Sequence, residues 1–320
     1  IWHPNSFNYY LLFLDKMKCL VTGGAGFVGS HLCEALAKDH EVYCLDSLLT
    51  GKKENIKNPK IKFVKQDVNN KKGLEKIFDK NGFDWVFHYA AIVGVKRTLE
   101  NPLEDIHGTE NVLDLSRKYD VKKVLFTSSS EVYGEPVEFP EREDGHLNAK
   151  MPYARTKLFG ESLMRAHYEK YGLKTTSLRF FNIYGPRQES SDYGFVVGIF
   201  IKQVLNNKRP TIFGNGSQTR DFVYIKDNIE ATIKAMESDK TNGEVINIGT
   251  GVPVSILHLA ERIIELCGKD LEPIYIENQR NDIKHRFPDV SKMIKLIELR
   301  PRYNLEKGLK ETIAWYKNGR

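Results

Sequence analysis

The sequence predicts an α/β fold: a doubly wound parallel sheet followed by a smaller α/β lobe in the C-terminal part. Three observations support this. Strand-like apolar runs alternate with amphipathic helical patterns through the first 181 residues, a glycine-rich turn joins the first strand to the first helix, and the alternation breaks from Asn182 onward. We therefore expect a sheet domain over residues 17–181 and a substrate-binding lobe over residues 182–320, with residues 1–16 outside the fold.

Composition and charge are those of an ordinary globular protein. The chain has 320 residues, 41% of them hydrophobic and 28% charged, which is enough to bury a large core. The net charge of +6 is spread along the chain without a basic block, so a nucleic-acid partner is not expected. The apolar run at residues 9–14 is too short to span a bilayer and lacks the basic flank of a signal peptide, so no membrane association is predicted.

Cysteine usage points to a reducing compartment. The chain has four cysteines, Cys19, Cys33, Cys44 and Cys267. They show neither a CxxC pair nor the spacing of metal ligands. Three of them lie inside apolar strand or helix patterns, which favours core packing. We therefore expect a cytoplasmic protein without a metal site.

The glycine-rich turn is suited to hold a dinucleotide. An apolar run at residues 19–21 precedes it, and residues 30–38 carry apolar side chains at helical spacing. The turn and the start of the helix include Gly23, Gly26, Phe27, Val28 and Gly29. Such a turn lets the backbone approach a pyrophosphate and directs the free N–H groups of the helix toward that charge. A tight turn without a ligand is the alternative, and the strand and helix on either side make it the weaker one.

An acidic residue at the end of the second strand favours NAD over NADP. The strand predicted at residues 41–45 ends at Asp46, seventeen residues after Gly29. A carboxylate at this position can accept hydrogen bonds from both hydroxyls of an adenosine ribose.

The remaining elements follow in order. Further strands are expected at residues 61–64, 84–88, 123–128 and 175–180, and helices at residues 73–81, 111–119, 153–171, 196–205 and 257–266. Residues 47–58 are polar and lysine-rich, typical of a solvated loop. After the strand at 84–88, Ala90 and Ala91 are small enough for the backbone to pass close to a nicotinamide ribose. In the lobe, residues 222–225 and 245–248 are candidate strands that return to the main sheet.

Tyr153 and Lys157 lie four residues apart on one face of a predicted helix. Beside a nicotinamide, the lysine charge would stabilise a phenolate and lower the pKa of the tyrosine, making it a base for a hydroxyl whose carbon gives up a hydride. An amphipathic surface pair is the alternative. The serines at residues 128–130 favour the catalytic interpretation, because they follow a strand at the sheet edge where open α/β proteins place their active sites.

Together these motifs resemble the extended short-chain dehydrogenases/reductases, specifically the NAD-dependent nucleotide-sugar epimerase/dehydratase family. The resemblance runs from Met17 to the C-terminus and rests on residues 22–29, 46, 67–68, 88–91, 128–134, 153 with 157, 179–187 and 218–221. It implies a Rossmann domain with bound NAD, a nucleotide-sugar substrate and a homodimer formed by residues 99–119 and 153–171. The helix before Gly108 is shorter than is usual in the family by about one turn, and Asp105 replaces a common Asn.

The resemblance also implies roles for single residues around the reacting sugar. Tyr153 would be the base, Lys157 would tune it and hold the ribose, and Ser129 would contact the substrate. Ser130 and Glu131 complete the candidate catalytic set, with a structural role for Glu131 as the alternative. Asp67 and Val68 would hold the adenine.

The substrate would meet a second group of residues. Asn182, Arg220 and Arg280 fall where the family grips the diphosphate; the planar guanidinium suits phosphate, with surface salt bridges as the alternative for the arginines. Phe213 could form a wall for the base or belong to the core. Val95 lies in a loop, residues 92–98, of epimerase-like sequence. Arg286 would line the sugar pocket, or else pair with Asp289 or Glu131.

The resemblance narrows the reaction. Dehydratases carry Asp-Glu where this chain has Ser130-Glu131, which disfavours 4,6-dehydration. Glucuronate decarboxylases carry Ser-Glu there and an Arg-x-Pro-Asp like residues 286–289, while the loop at 92–98 favours an epimerase. A nucleoside-diphosphate-sugar 4-epimerase acting through a 4-keto intermediate is therefore the first hypothesis, and a hexuronate decarboxylase or another, dehydratase-type enzyme of the family is the alternative. A catalytically silent dinucleotide sensor is opposed by the intact Ser129, Tyr153 and Lys157.

Overall fold

The computed structural model describes residues 16–91, 104–190, 195–277 and 283–319. Its strands are β1 Lys18–Thr22, β2 Glu41–Asp46, β3 Lys62–Lys65, β4 Trp85–His88, β5 Lys123–Ser129, β6 Thr175–Phe180, β7 Asn182–Tyr184, β8 Thr211–Phe213, β9 Thr219–Tyr224, β10 Glu244–Ile248, β11 Pro253–Ser255, β12 Ile274–Ile276 and β13 His285–Arg286. Its α-helices are α1 Phe27–Leu36, α2 Lys71–Asn81, α3 Glu104–Lys118, α4 Pro152–Tyr171, α5 Val196–Leu205, α6 Ile225–Glu237, α7 Ile256–Cys267, α8 Ser291–Ile297 and α9 Leu305–Lys317.

Seven parallel strands form the main sheet, in the order β10-β6-β5-β4-β1-β2-β3. The chain winds outward from β1 toward β3 and then restarts at β4 on the other side, so the strand order reverses between β1 and β4. In open α/β sheets the ligand crevice lies at this reversal, beyond the carboxyl ends of the strands. The predicted doubly wound fold is confirmed.

Helices cover both faces of the sheet because alternate strand residues point to opposite sides. Leu20, Val86 and Val124 pack in one apolar cluster with residues of α2, α3 and α4. Cys19 and Val21 face the other side, in a cluster that includes α1, α6 and the C-terminal helices. All four cysteines are buried and free. No helix among the described residues combines the length and the apolar composition needed to cross a bilayer.

The smaller lobe has its own strands. β9 pairs with β7, β11 and β13, and β8 pairs with β12. Residues 245–248 do lie in the main sheet, as part of β10, but the expectation that residues 222–225 return to it is wrong. β10 occupies the place beside β6, and the Asp221 carboxylate holds β9 in the lobe by accepting the N–H groups of Thr250 at 2.9 Å and Val252 at 3.1 Å.

Candidate active site

A cleft of about 1260 Å³ opens at the carboxyl ends of β1, β2, β4 and β5. Its lining combines the glycine turn after β1, the segments that follow β2 and β4, the serines after β5, and the start of the lobe. The sequence-predicted cofactor and catalytic residues therefore meet in one place, although they come from separate parts of the chain.

The turn after β1 forms a cradle that only glycine fits. Gly23 has φ +67°, and a Cβ there would come within 2.7 Å of the Ala90 nitrogen. A Cβ at Gly29 would collide with the Gly23 carbonyl. α1 begins directly behind this turn with no acidic residue in its first turn, so its free N–H groups can meet an anion. The residues present fit a bound dinucleotide pyrophosphate.

Asp46 lies at the same edge of the cleft, 6% exposed. Its carboxylate accepts the N–H groups of Ala25 at 2.9 Å and Leu48 at 2.8 Å, which orient it. A carboxylate has about four acceptor sites, so capacity remains for ribose hydroxyls. Asp67, Val68, Ala90 and Ala91 line the cleft as well, together with Phe27 and Val28.

The loop after β2 is more ordered than its composition indicates. Residues 53–55 form a 3₁₀ turn, and the Lys52 N–H donates to the Ala25 carbonyl at 3.0 Å. The Asn55 amide donates to the same carbonyl at 2.8 Å. Ser47, Leu49 and Thr50 consequently line the cleft beside the cofactor residues. Sequence reasoning missed them because a polar, lysine-rich stretch carries no periodic signal.

Ser129, Tyr153 and Lys157 converge at the inner part of the cleft. The Ser129 side chain lies close enough to the Tyr153 hydroxyl to lower its pKa. Lys157 is 2% exposed, and its Nζ lies 4.8 Å from the ring centroid of Phe126 and 5.6 Å from that of Tyr153. Cation–π attraction to the two rings helps to hold this buried charge.

Burial dominates the titration of this group. It raises the pKa of Tyr153 far above the ordinary value; the nearby Asp105 and Glu131 raise it further, and Ser129 opposes them. Burial also lowers the pKa of Lys157, with Asp105 opposing. Desolvation of the phenolate is the largest effect on Tyr153, and the expectation that Lys157 lowers this pKa beside a nicotinamide stays a prediction.

The turn that carries the serines is held by a buried polar network. The Ser129 side chain accepts the Glu131 N–H at 3.2 Å and caps the 3₁₀ turn Ser130–Tyr133. Behind it, Ser128 donates to Glu161, whose carboxylate binds Arg179 through two bonds of 2.9 and 2.8 Å. Such a bidentate pair fixes direction as well as distance, and it joins β6 to α4. The Ser128 bond ties the end of β5 to the same carboxylate.

The predicted substrate residues divide into three groups. Asn182 lines the cleft, and its amide donates to the Asp221 carbonyl at 2.9 Å. Phe213, 44% exposed on β8, and Arg220, which donates to the Thr219 carbonyl at 2.8 Å, are not among the described residues that line the cleft. Val95 and Arg280 lie outside the described residues.

Arg286 is buried next to the cleft without lining it. The guanidinium is 2% exposed; Nη1 pairs with the Glu131 carboxylate, and Nη2 donates to the Gly134 carbonyl at 2.8 Å. Glu131 lines the cleft with its side chain 45% exposed. The structure thus contains the pairing with Glu131 that the sequence left open as an alternative.

Further cleft residues had no sequence signal. The end of the cleft beyond α1 is lined by Gln188 and by Trp315 and Tyr316 of the last helix. The Tyr316 hydroxyl donates to the Gln188 carbonyl at 2.5 Å, which fastens the helix to this wall. Only the folded chain brings residues so far apart in sequence together.

Comparison with known proteins agrees with this geometry. The model of the NAD dependent epimerase/dehydratase family matches residues 19–249. A solved UDP-glucose 4-epimerase from Thermotoga maritima, with UDP-glucose, is 35% identical; the match has a TM-score of 0.91 and covers 95% of this chain and 99% of that one. A solved UDP-glucuronic acid 4-epimerase from Bacillus cereus, with UDP-glucuronic acid and NAD, is 34% identical with a TM-score of 0.87, covering 95% and 100%. A UDP-N-acetyl-alpha-D-glucosaminuronate decarboxylase from Bacillus cytotoxicus is 38% identical, covering 94% of this chain and 98% of its own length.

Proposed function

The chain belongs to the NAD-dependent epimerase/dehydratase family, and we propose that it is a nucleoside-diphosphate-sugar 4-epimerase acting through a 4-keto intermediate. The observation that carries this proposal is the meeting of Ser129, Tyr153 and Lys157 in the cleft that holds the glycine cradle and Asp46. A cofactor site alone would suit a sensor, whereas a tyrosine with a serine and a lysine beside it in the same cleft supports proton transfer.

Each residue has a proposed part in the reaction. Bound NAD would supply the hydride acceptor for C4 and the hydride that reduces the keto sugar on its other face. Gly23, Gly26 and Gly29 would hold the pyrophosphate of NAD, and Asp46 the adenosine ribose. Tyr153, as its phenolate, would take the proton from the sugar 4-hydroxyl and later return it, while Ser129 orients that hydroxyl and the Lys157 charge stabilises the phenolate.

A hexuronate decarboxylase is the second candidate, and one observation favours it. Arg286 lies directly behind Glu131, and the Glu131 side chain separates it from the cleft. A substrate carboxylate that displaced Glu131 could bind the guanidinium through two parallel hydrogen bonds. In an epimerase of neutral sugars the same guanidinium stays with Glu131 and meets no substrate charge.

Incubation with UDP-, GDP-, dTDP- and CDP-linked hexoses and hexuronates decides between the candidates. Products are identified by mass spectrometry and NMR. An unchanged mass with a new sugar identifies an epimerase, and loss of carbon dioxide identifies a decarboxylase. Loss of water identifies a dehydratase, and no turnover of any sugar by NAD-loaded protein supports a sensor.

We also propose that the protein is a homodimer formed through α3 and α4, which pack against each other. α4 exposes three large aromatic side chains, Phe159 at 43%, Tyr168 at 36% and Tyr171 at 47%. Exposed aromatic side chains on one helix are typical of a surface that a partner covers. The part of the predicted interface before Glu104 lies outside the described residues.

The buried thiols indicate the cellular compartment in which the protein works. All four cysteines are free and buried, and free thiols persist in a reducing environment. This supports the proposal that the protein works in the cytoplasm.

A further inference from the structure

A second buried carboxyl group, Glu141, lies beside Arg286 and has no part in the chemistry above. Glu141 is 3% exposed. Its N–H donates to the Phe287 carbonyl at 3.0 Å, and its carbonyl accepts the Asp289 N–H at 2.8 Å. These two bonds fix Glu141 alongside the chain segment that carries Arg286.

The Arg286 guanidinium is shared unequally between two carboxyl groups. It pairs with Glu131 through Nη1, whereas its Nε lies 3.8 Å from Glu141 Oε1, too far for a hydrogen bond. Within the described part of the chain, this Nε and both carboxyl oxygens of Glu141 have no hydrogen-bond partner. Buried donors and acceptors without partners are rare, because each costs free energy. Glu141 is therefore a reserve partner for Arg286, a short movement away from a direct bond.

The protonation of Glu141 bears on its pairing with Arg286. Burial raises the pKa of Glu141 to about 8. Arg286 and Arg220 favour its ionised form, and Glu131 opposes ionisation. Other charged or titratable groups around the Glu141 segment include Tyr133, Glu138, Arg142, Glu143, His146 and Asp289.

A small cavity lies beside Glu141. A cavity of about 20 Å³ borders Glu141 and is also lined by Tyr133 and His146. That volume is sufficient for one water molecule, and a water there could carry the proton between Glu141 and solvent.

We propose that Glu141 is a positioning residue for Glu131. Loss of its proton to solvent lets Glu141 take the guanidinium of Arg286, which releases the Glu131 carboxylate into the reaction cleft. One proton leaves and one ion pair replaces another, with no other bond changed. The effect on turnover rests on the proposed function, because it acts on the sugar and on Tyr153. The exchange of partners by Arg286 is independent of the proposed function.

The first experiment needs no substrate. The melting temperatures of wild type, Glu141→Gln and the exposed control Glu138→Gln are measured from pH 5 to 9. A carboxyl whose pKa is raised by folding destabilises the folded protein as pH rises from its ordinary value toward the raised one. The melting temperature of Glu141→Gln minus that of wild type should therefore increase between pH 5 and 8 and stay constant above pH 8. The melting temperature of Glu138→Gln should follow that of wild type. A constant difference overturns the proposal.

The second experiment tests the coupling to Glu131. Removing the Glu131 charge in Glu131→Gln removes a group that raises the pKa of Glu141. As pH rises, the melting temperature of Glu131→Gln should stop falling at a lower pH than that of wild type. If both stop falling at the same pH, the coupling between Glu131 and Glu141 is overturned. This measurement also decides the question if Glu141→Gln fails to fold.

The third experiment uses turnover of whichever nucleotide sugar the enzyme converts. A released Glu131 carboxylate near Tyr153 disfavours the phenolate, so kcat of wild type should fall about threefold or more relative to Glu141→Gln between pH 6.5 and 9. Parallel kcat profiles would remove the positioning role even if Glu141 titrates. If no sugar is converted, the proposed function fails, while the two stability experiments still test the exchange of partners.

Discussion

The buried guanidinium of Arg286 pairs with the carboxylate of Glu131, whose side chain is 45% exposed and lines the reaction cleft. The charge of the half-exposed Glu131 carboxylate is thus balanced by a guanidinium on the buried side of the cleft wall. Arg286 can influence the sugar in two ways. It can act through the Glu131 carboxylate, or it can bind a substrate carboxylate that displaces Glu131.

The first prediction separates these two modes. Arg286→Ala should lower the free energy of unfolding by about 2–4 kcal/mol, because the Gly134 carbonyl loses its donor and a buried side chain is removed. For an epimerase of neutral sugars, hexoses and hexuronates should be affected alike. The check is chemical denaturation together with the nucleotide-sugar panel, with Arg142→Ala as the exposed control. A loss about tenfold larger for hexuronates would instead assign Arg286 to the substrate carboxylate.

The second prediction concerns the base. Tyr153→Phe should abolish turnover and leave NAD binding nearly unchanged, because only one hydroxyl is removed from a helix held by its apolar contacts. NAD binding by calorimetry and kcat are measured, with the exposed Tyr171→Phe on the same helix as control. Retention of more than a tenth of wild-type kcat, a loss below about 1.4 kcal/mol, would exclude Tyr153 as the base.

The third prediction concerns the buried pair behind the serine turn. Glu161→Gln should cost about 3–5 kcal/mol of unfolding free energy, because Arg179 is then left as an unbalanced charge at 2% exposure. Glu169→Gln, which breaks an exposed pair with Arg165 on the same helix, should cost below about 0.5 kcal/mol. Equal effects in urea denaturation would contradict the role given to the buried pair.

The fourth prediction is a specific acid sensitivity. His88 is 1% exposed between Thr22 at 2.7 Å and Thr109 at 3.1 Å, and burial, with a smaller effect of Lys157, lowers its pKa to about 3. An unfolded histidine binds a proton near pH 6.5 and the folded one does not, so stability is full above pH 6.5 and falls toward pH 3, by up to about 1.4 kcal/mol per pH unit.

His88→Gln keeps a neutral hydrogen-bonding side chain and should flatten this loss. Unfolding free energies between pH 4 and 7 test it, with the exposed His258→Gln as control. A slope unchanged in His88→Gln would show that other groups cause the acid sensitivity.

The fifth prediction is the dimer. Light scattering at micromolar concentration should give twice the chain mass of 36.8 kDa, and Phe159→Glu should shift the protein toward the monomer by placing a charge in the apolar interface. A monomer mass for the wild type would remove the proposal. The exposed change Phe195→Glu, outside α3 and α4, serves as control.

The sequence by itself determined the sheet domain and the cofactor cradle, because both depend on local patterns. Strand runs, helical periodicity and the glycines of one turn are encoded within about ten neighbouring residues. Gly23, Asp46, Tyr153 and Lys157 could therefore be assigned without coordinates, and the structure brings all four to one cleft.

Tertiary structure alone decided the positions that depend on contacts between distant segments. β9 lies in the lobe because β10 takes the place beside β6, which no local pattern of residues 222–225 could reveal. Desolvation, rather than the four-residue spacing, governs the pKa of Tyr153. Arg286 meets Glu131 and Glu141 only because separate segments converge on one buried guanidinium. Burial and charge balance are properties of the assembled interior, so the partner of that arginine became evident only in the fold.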